Sequence, residues 1–216
     1  GEFDGENIRN AREKIIEKLK EKELLDRQEK NQQVVKIHDR CKKTIEMVNS
    51  SQWFINITDS KEEIKKAARS MRWLPGHYLQ HIIDWTDGLE WDWCISRQRV
   101  FGIPIPFWYC LKCNETYLPD ETKLPVDPSK DKPPHEKCKC GGELIGETSI
   151  CDGWIDSSIT PLIISGWPDN KKEFEKLYPA TVRPQGSDII RTWAFYTIFR
   201  CLKLTGKPPF QDMLIN

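Results

Sequence analysis

Apolar and polar residues divide this chain into segments of different character. Ile8, Ala11, Ile15, Ile16 and Leu19 fall on one stripe, and Lys and Glu fill the opposite side. That spacing predicts a charged helix ending near Leu24-Leu25, docked by one apolar face. Val34-Val35-Lys36-Ile37-His38 reads as a strand, Asp39 to Thr44 as a turn, and Gln52-Trp53-Phe54-Ile55-Asn56-Ile57 as a second strand. Asp59-Ser60 marks a helix start, with Glu62 and Glu63 in the first turn, where the helix dipole favours them. A further helix follows Pro75-Gly76 and carries Tyr78, Ile82, Ile83 and Trp85. Tyr178 to Val182 reads as a buried strand. Ile189, Ile190, Trp193, Ile198 and Leu202 recur near helical spacing through Leu204. Gln211 to Asn216 is again strand-like. Strands alternating with helices predict an α/β fold.

Composition changes this picture little. The 216 residues suffice for one large domain or two small ones, and 38% hydrophobic residues with nine tryptophans predict a real core. A formal net charge of zero provides no global field toward nucleic acid, so any RNA contact must be local. No apolar run is long enough to span a bilayer and no signal peptide is evident, which points to the cytoplasm. The eight cysteines are then expected as thiols or metal ligands rather than disulfides.

Three stretches carry candidate chemistry. Cys110-Leu111-Lys112-Cys113 and Cys138-Lys139-Cys140-Gly141-Gly142 are thiol pairs that can close a tetrahedral zinc site. The second pair is one residue short of the usual gap, and His135 or Cys151 is an alternative fourth ligand. Four protein ligands leave no open position, so the zinc would be structural. His77 with His81, and His38 with Cys41, lack further ligands nearby and read as surface or structural residues. Trp91 to Tyr109 interleaves aromatics with Arg97 and Arg99, a pattern that suits base stacking and phosphate contact, or equally an aromatic core with two surface arginines. Ile103-Pro104-Ile105-Pro106 must be extended, at most an edge strand. Trp154 stands among carboxylates and hydroxyls, with Asp156 and Ser158 close by, as one wall of a small apolar pocket or as neighbour to helix caps. Gly186 and Asp188 sit at a strand-to-helix turn. There a glycine admits close backbone approach and an aspartate accepts from a ribose diol, or simply caps the helix.

Taken together, Asp92-Trp93-Cys94-Ile95-Ser96-Arg97-Gln98-Arg99, Gly102-Ile103-Pro104-Ile105-Pro106 and Trp154-Ile155-Asp156-Ser157-Ser158 resemble class I aminoacyl-tRNA synthetases of the valine/isoleucine/leucine group. The runs Trp154 to Gly166 and Arg183 to Tyr196 narrow the resemblance to the valine branch, with the isoleucine branch as its nearest rival. The resemblance covers essentially the whole chain. It implies the second half of a Rossmann-type catalytic domain with an inserted zinc ribbon, led by an α+β segment from the end of an editing insertion. The implied divisions are 1–60 for that segment, 61–106 for catalytic-domain helices and strand, 107–148 for the zinc ribbon, and 149–216 for the rest of the catalytic domain. It also implies activation of valine with ATP and magnesium, and transfer to tRNA(Val). Gly186 and Asp188 would hold the adenosine ribose, and Trp154, with Asp156 near it, the amino-acid side chain. Arg97 and Arg99 would reach the acceptor end of the tRNA or make internal ion pairs. The family's H-I-G-H-type and K-M-S-K-S motifs do not occur here. The chain therefore reads as an internal piece of a longer enzyme, with no catalytic residue of its own and no adenylation or editing expected alone. A non-catalytic RNA-binding module built on the ribbon is the competing reading from another class.

Overall fold

The computed structural model describes residues 1–216. It divides into two compact units, Gly1–Ser50 and Ser51–Asn216.

In the first unit the predicted helix forms as α1, Ile8–Glu21, capped by Asn7, whose side chain accepts from the Arg9 amide at 3.0 Å. Its apolar stripe buries less than expected: no residue of α1 is buried, and Ile8 and Ile15 are exposed. The run Val34 to His38 makes no strand. Only one antiparallel bridge, Ile37 to Thr44, closes around the expected turn, and Val34 stands fully exposed. β-branched residues favour strands only where they pack on a pleated surface, and none is offered here.

The second unit holds the core. β1 (Phe54–Ile55) is shorter than the predicted strand. One 3₁₀ turn, Thr58–Ser60, leads into α2 (Lys61–Ser70). β2 (Arg72–Leu74) and α3 (Tyr78–Asp87) follow, then β3 (Trp93–Cys94) and β4 (Ser96–Arg97). β1 pairs antiparallel with β3. Asp92 fixes this junction, since one carboxylate oxygen accepts from the Ile57 and Thr58 amides at 3.0 and 3.1 Å and from the Thr58 hydroxyl at 2.8 Å. Those donors, the Thr58 amide foremost, hold its carboxyl below the ordinary range.

β5 (Trp108–Cys110), β6 (Thr116–Tyr117) and β7 (Leu144–Gly146) form a separate antiparallel sheet in the order β6-β5-β7. Its small core is Trp108, Cys110, Tyr117, Cys138 and Leu144. The chain returns through β8 (Ile150–Cys151), antiparallel to β4. Pro104 bridges Ile150, so the proline-interrupted run is extended at an edge, as predicted.

Three short helices follow: α4 (Gly153–Ser157), α5 (Thr160–Ile164) and α6 (Lys171–Leu177). β9 (Ala180–Gln185), α7 (Phe195–Thr205) and β10 (Phe210–Ile215) close the chain. β10 lies between β2 and β9, and all three run parallel. β9 and β10 are adjacent and joined through α7, a strand–helix–strand crossover. Tyr178 to Val182 departs from the predicted buried strand. Tyr178 is buried but Val182 is exposed, because it stands in register with Arg72 and Asp212 on the open face of the sheet. The fold is α/β, as predicted. α2, α3 and α7 supply Ile64, Ile82, Phe195 and Ile198, which pack with Met213 of β10 in one core, each at most 1% exposed.

Candidate functional site

The turn after β9 stands at the carboxyl end of a parallel strand, where ligands bind in open α/β sheets. β10 flanks it: Ser187 donates its amide to the Asn216 carbonyl, and Asn216 donates back to Gln185, both at 3.1 Å. Gly186 has ordinary extended dihedrals, so conformation does not demand glycine here. Space does. A Cβ at Gly186 would lie 2.4 Å from a carboxylate oxygen of Asp188. Asp188 is exposed, within a 3₁₀ turn spanning Ser187–Ile189. The helix predicted from Ile189 is composite. A π turn, Ile190–Ala194, precedes α7, and such turns recur at functional sites. Arg183 lies 4.0 Å from the centroid of the Trp193 ring, and burial lowers its pKa.

Trp154 lies on α4, half-buried against the main core, and Asp156 is exposed on the same helix. α4 abuts the π turn through a bond from the Trp193 indole to the Ser157 carbonyl, 3.1 Å. The helix bearing Trp154 is thus tied to the segment that follows Asp188.

α4 is also held at both ends. Asp152 at its start is buried, and one oxygen accepts from the Trp154 amide at 3.3 Å. Its other oxygen accepts from Arg97 at 2.7 Å and from the Trp93 indole at 3.1 Å. At the far end Arg200 of α7 donates to the Ile155 carbonyl and to the Ser158 hydroxyl. Burial lowers the pKa of Arg200. Asp152 and Arg200 carried no assigned role in the sequence. An aspartate before Gly-Trp signals a helix cap, but its partners lie 55 and 59 residues away.

Arg97 and Arg99 have different surroundings. Arg97 takes the ion-pair alternative, with two further bonds to the Cys94 and Ser96 carbonyls at 3.0 and 2.9 Å. Arg99 is exposed on a loop where Phe101 is 94% exposed. Trp93 and Arg97 also line a cavity of about 220 Å³ with Trp91, Phe195 and Tyr196. Tyr196 stacks on Trp93 at 3.8 Å between centroids.

The four cysteines converge. The sulfurs of Cys110, Cys113, Cys138 and Cys140 all lie within 4.8 Å of one another, and Cys110–Cys140 and Cys113–Cys138 are each 3.5 Å apart. Tetrahedral zinc with metal–sulfur bonds of about 2.3 Å sets sulfurs about 3.8 Å apart, so this set fits zinc. Lys112 and Cys140 turn their amides toward the Cys110 and Cys138 sulfurs at 3.3 and 3.5 Å. The Tyr117 hydroxyl donates to Cys138 at 3.3 Å and, as the chief cause, draws that thiol down to about 6. Gly142 is required by space, since a Cβ there would lie 2.5 Å from the Cys110 sulfur. The short second pair therefore closes the set. The alternative ligands lie apart from it: His135 packs against the Tyr117 ring, and Cys151 stands opposite Ser96 in β8.

The family described as tRNA synthetases class I (I, L, M and V) matches residues 6–216. The chain belongs to this family. The class I synthetase chain is 46% identical over 217 residues to a "Valine--tRNA ligase" of Methanothermobacter thermautotrophicus, covering 100% of this chain and 24% of that protein. It is 47% identical over 218 residues to a protein of the same name from Methanopyrus kandleri, covering 100% and 23% respectively. The chain thus spans about a quarter of the length of these relatives. Among solved structures, Mycobacterium tuberculosis methionyl-tRNA synthetase in complex with methionyl-adenylate aligns at a TM-score of 0.53 and 15% identity, over 84% of this chain and 29% of that one. At that identity the likeness concerns the fold. No helix is long and apolar enough to cross a membrane.

Proposed function

We propose that this chain is the second half of the Rossmann-type catalytic domain of a valine–tRNA ligase, led by the end of an editing insertion (1–60) and carrying a zinc ribbon at 107–148. The observation that carries the reading is the identity of 46% to a valine–tRNA ligase along the full chain, joined to a ribose-type Gly-x-Asp turn at the carboxyl end of a parallel strand. In the whole enzyme a valine carboxylate oxygen attacks the α-phosphorus of ATP, and pyrophosphate leaves. A hydroxyl of the 3′-terminal ribose of tRNA(Val) then attacks the valyl carbonyl carbon, and AMP leaves. Both steps need position and charge stabilisation more than protein acid–base chemistry.

In this reading Gly186 admits the adenosine ribose and Asp188 accepts from its hydroxyls. Trp154 forms a wall for the valine side chain, and Asp156 stands at the rim. Arg99 is exposed and free to reach a tRNA phosphate, while Arg97 acts inside the protein. Zinc would sit among Cys110, Cys113, Cys138 and Cys140, tie the ribbon together and take no part in the reaction. ATP would arrive with magnesium, whose ligands, like the phosphate-handling residues, belong to other parts of the enzyme. A cytoplasmic location accords with translation.

The test is valine-dependent exchange of pyrophosphate into ATP. The full-length protein containing this chain exchanges with valine, and the 216-residue chain alone does not. Exchange driven by isoleucine in preference to valine, or by the isolated chain, overturns the reading.

A further inference from the structure

The reading of Trp154 as a pocket wall leaves open what holds so short a helix in place. A five-residue helix has little stability of its own, because most of its backbone groups lack intrahelical partners. Beside the Trp193 indole and the Thr160 hydroxyl on the Ser157 carbonyl, two charged side chains outside α4 supply such partners. Asp152 binds the Trp154 amide with one oxygen and joins Arg97 and the Trp93 indole with the other. Arg200 takes the carbonyl of Ile155, the middle residue of α4, and the hydroxyl of Ser158, its C-terminal cap. An anion at the start and a cation at the end also match the dipole of the helix. Both groups are removed from bulk water, where such bonds are strong and hold a defined geometry.

We propose that Asp152, oriented by Arg97, is a positioning residue that sets Trp154 for amino-acid recognition, with Arg200 as the counter-clamp at the far end of α4. The inference rests on the proposed role of Trp154. Asp152 itself contacts no substrate. Its carboxylate transmits the position of β3 and β4, through Trp93 and Arg97, to the wall carried by α4. The arrangement also accounts for Arg97 turning inward from a stretch whose pattern suits RNA contact.

The experiment uses the full-length protein that contains this chain, with pyrophosphate exchange measured against valine and against ATP, and melting followed in parallel. Asp152→Asn keeps the shape and the cap but removes the charge that orders Arg97. It is expected to raise the KM for valine about tenfold while leaving kcat and the KM for ATP within about twofold. Arg97→Lys, which keeps charge but loses the planar fork, shifts the valine KM in the same direction by less. Arg97→Lys alone decides the matter if Asp152→Asn does not fold. An unchanged valine KM in these variants overturns the proposal. So does a parallel loss of kcat, both KM values and melting temperature, which marks general destabilisation. Trp154→Ala is run beside them. If it leaves the valine KM unchanged, the pocket reading of Trp154 fails, whatever Asp152→Asn does.

Discussion

At the scale of single residues, two side chains give separable predictions. Asp92 accepts three hydrogen bonds on one oxygen, and its pKa is depressed. Its stabilising contribution is therefore complete above the unfolded carboxyl range, about 3.9, and is lost as pH falls through the lower folded value. Asp92→Asn should lower stability at neutral pH. Its deficit relative to wild type should shrink as pH falls below about 4 in denaturant titrations. A deficit that stays constant with pH contradicts this. Gly186→Ala is the second case. The backbone there accepts alanine, but the new methyl would press on the Asp188 carboxylate. The variant should melt within about 1 °C of wild type yet lose affinity for ATP by about tenfold, the scale of one charged hydrogen bond. Equal ATP affinity in both proteins removes Asp188 from the ribose site. The two cysteine pairs stood out by spacing, and their sulfurs converge, whereas the roles of Gly186, Asp188 and Trp154 came from the family resemblance and belong to the proposed reading. Asp152 did not stand out, because its meaning depends on Arg97 and Trp93, which only the folded backbone brings to it.

At the scale of elements, hydrophobic spacing located α1, α3 and the segment leading into α7, while α2 was marked by the Asp59-Ser60 start and its acidic first turn. The spacing overstated Val34–His38 and the burial of Val182. Periodicity reports the preference of a segment, whereas a strand also needs a partner strand and a burial face set by the rest of the sheet. It also smoothed over the π turn at Ile190–Ala194, where the wider turn breaks the regular helical spacing. α7 bears the greatest load in the core. Ile198→Ala, at a fully buried site, should cost about 2–5 kcal/mol in chemical denaturation, while ribbon metal content stays unchanged. A cost near zero shows that α7 is not the central packing element. The ribbon is expected to behave independently. Its apolar core is small, so a metal held by the four cysteines would supply much of its stability. Elemental analysis should return one zinc per chain, and Cys138→Ser should abolish it. Chelation should expose residues 107–148 to protease while the parallel sheet persists. Full metal content in Cys138→Ser contradicts the assignment.

At the scale of the whole molecule, residues 51–216 present a parallel sheet with the Gly186–Asp188 turn at its carboxyl end and a short helix tied, through Ser157 and Trp193, to the segment that follows that turn. The sheet and α2, α3 and α7 form the buried core, and the proposed site residues lie on a turn and a short helix outside it. This division is common where binding depends on position. The central claim is that Asp188 and Trp154 hold opposite parts of one activated amino acid. The most direct measurement is a crystal structure of the full-length protein with a non-hydrolysable valyl-adenylate analogue. The account predicts ribose hydroxyls within hydrogen-bond distance of the Asp188 carboxylate and the isopropyl group against the Trp154 ring. An analogue bound with its ribose remote from Asp188, or with its side chain in a pocket that excludes Trp154, contradicts it.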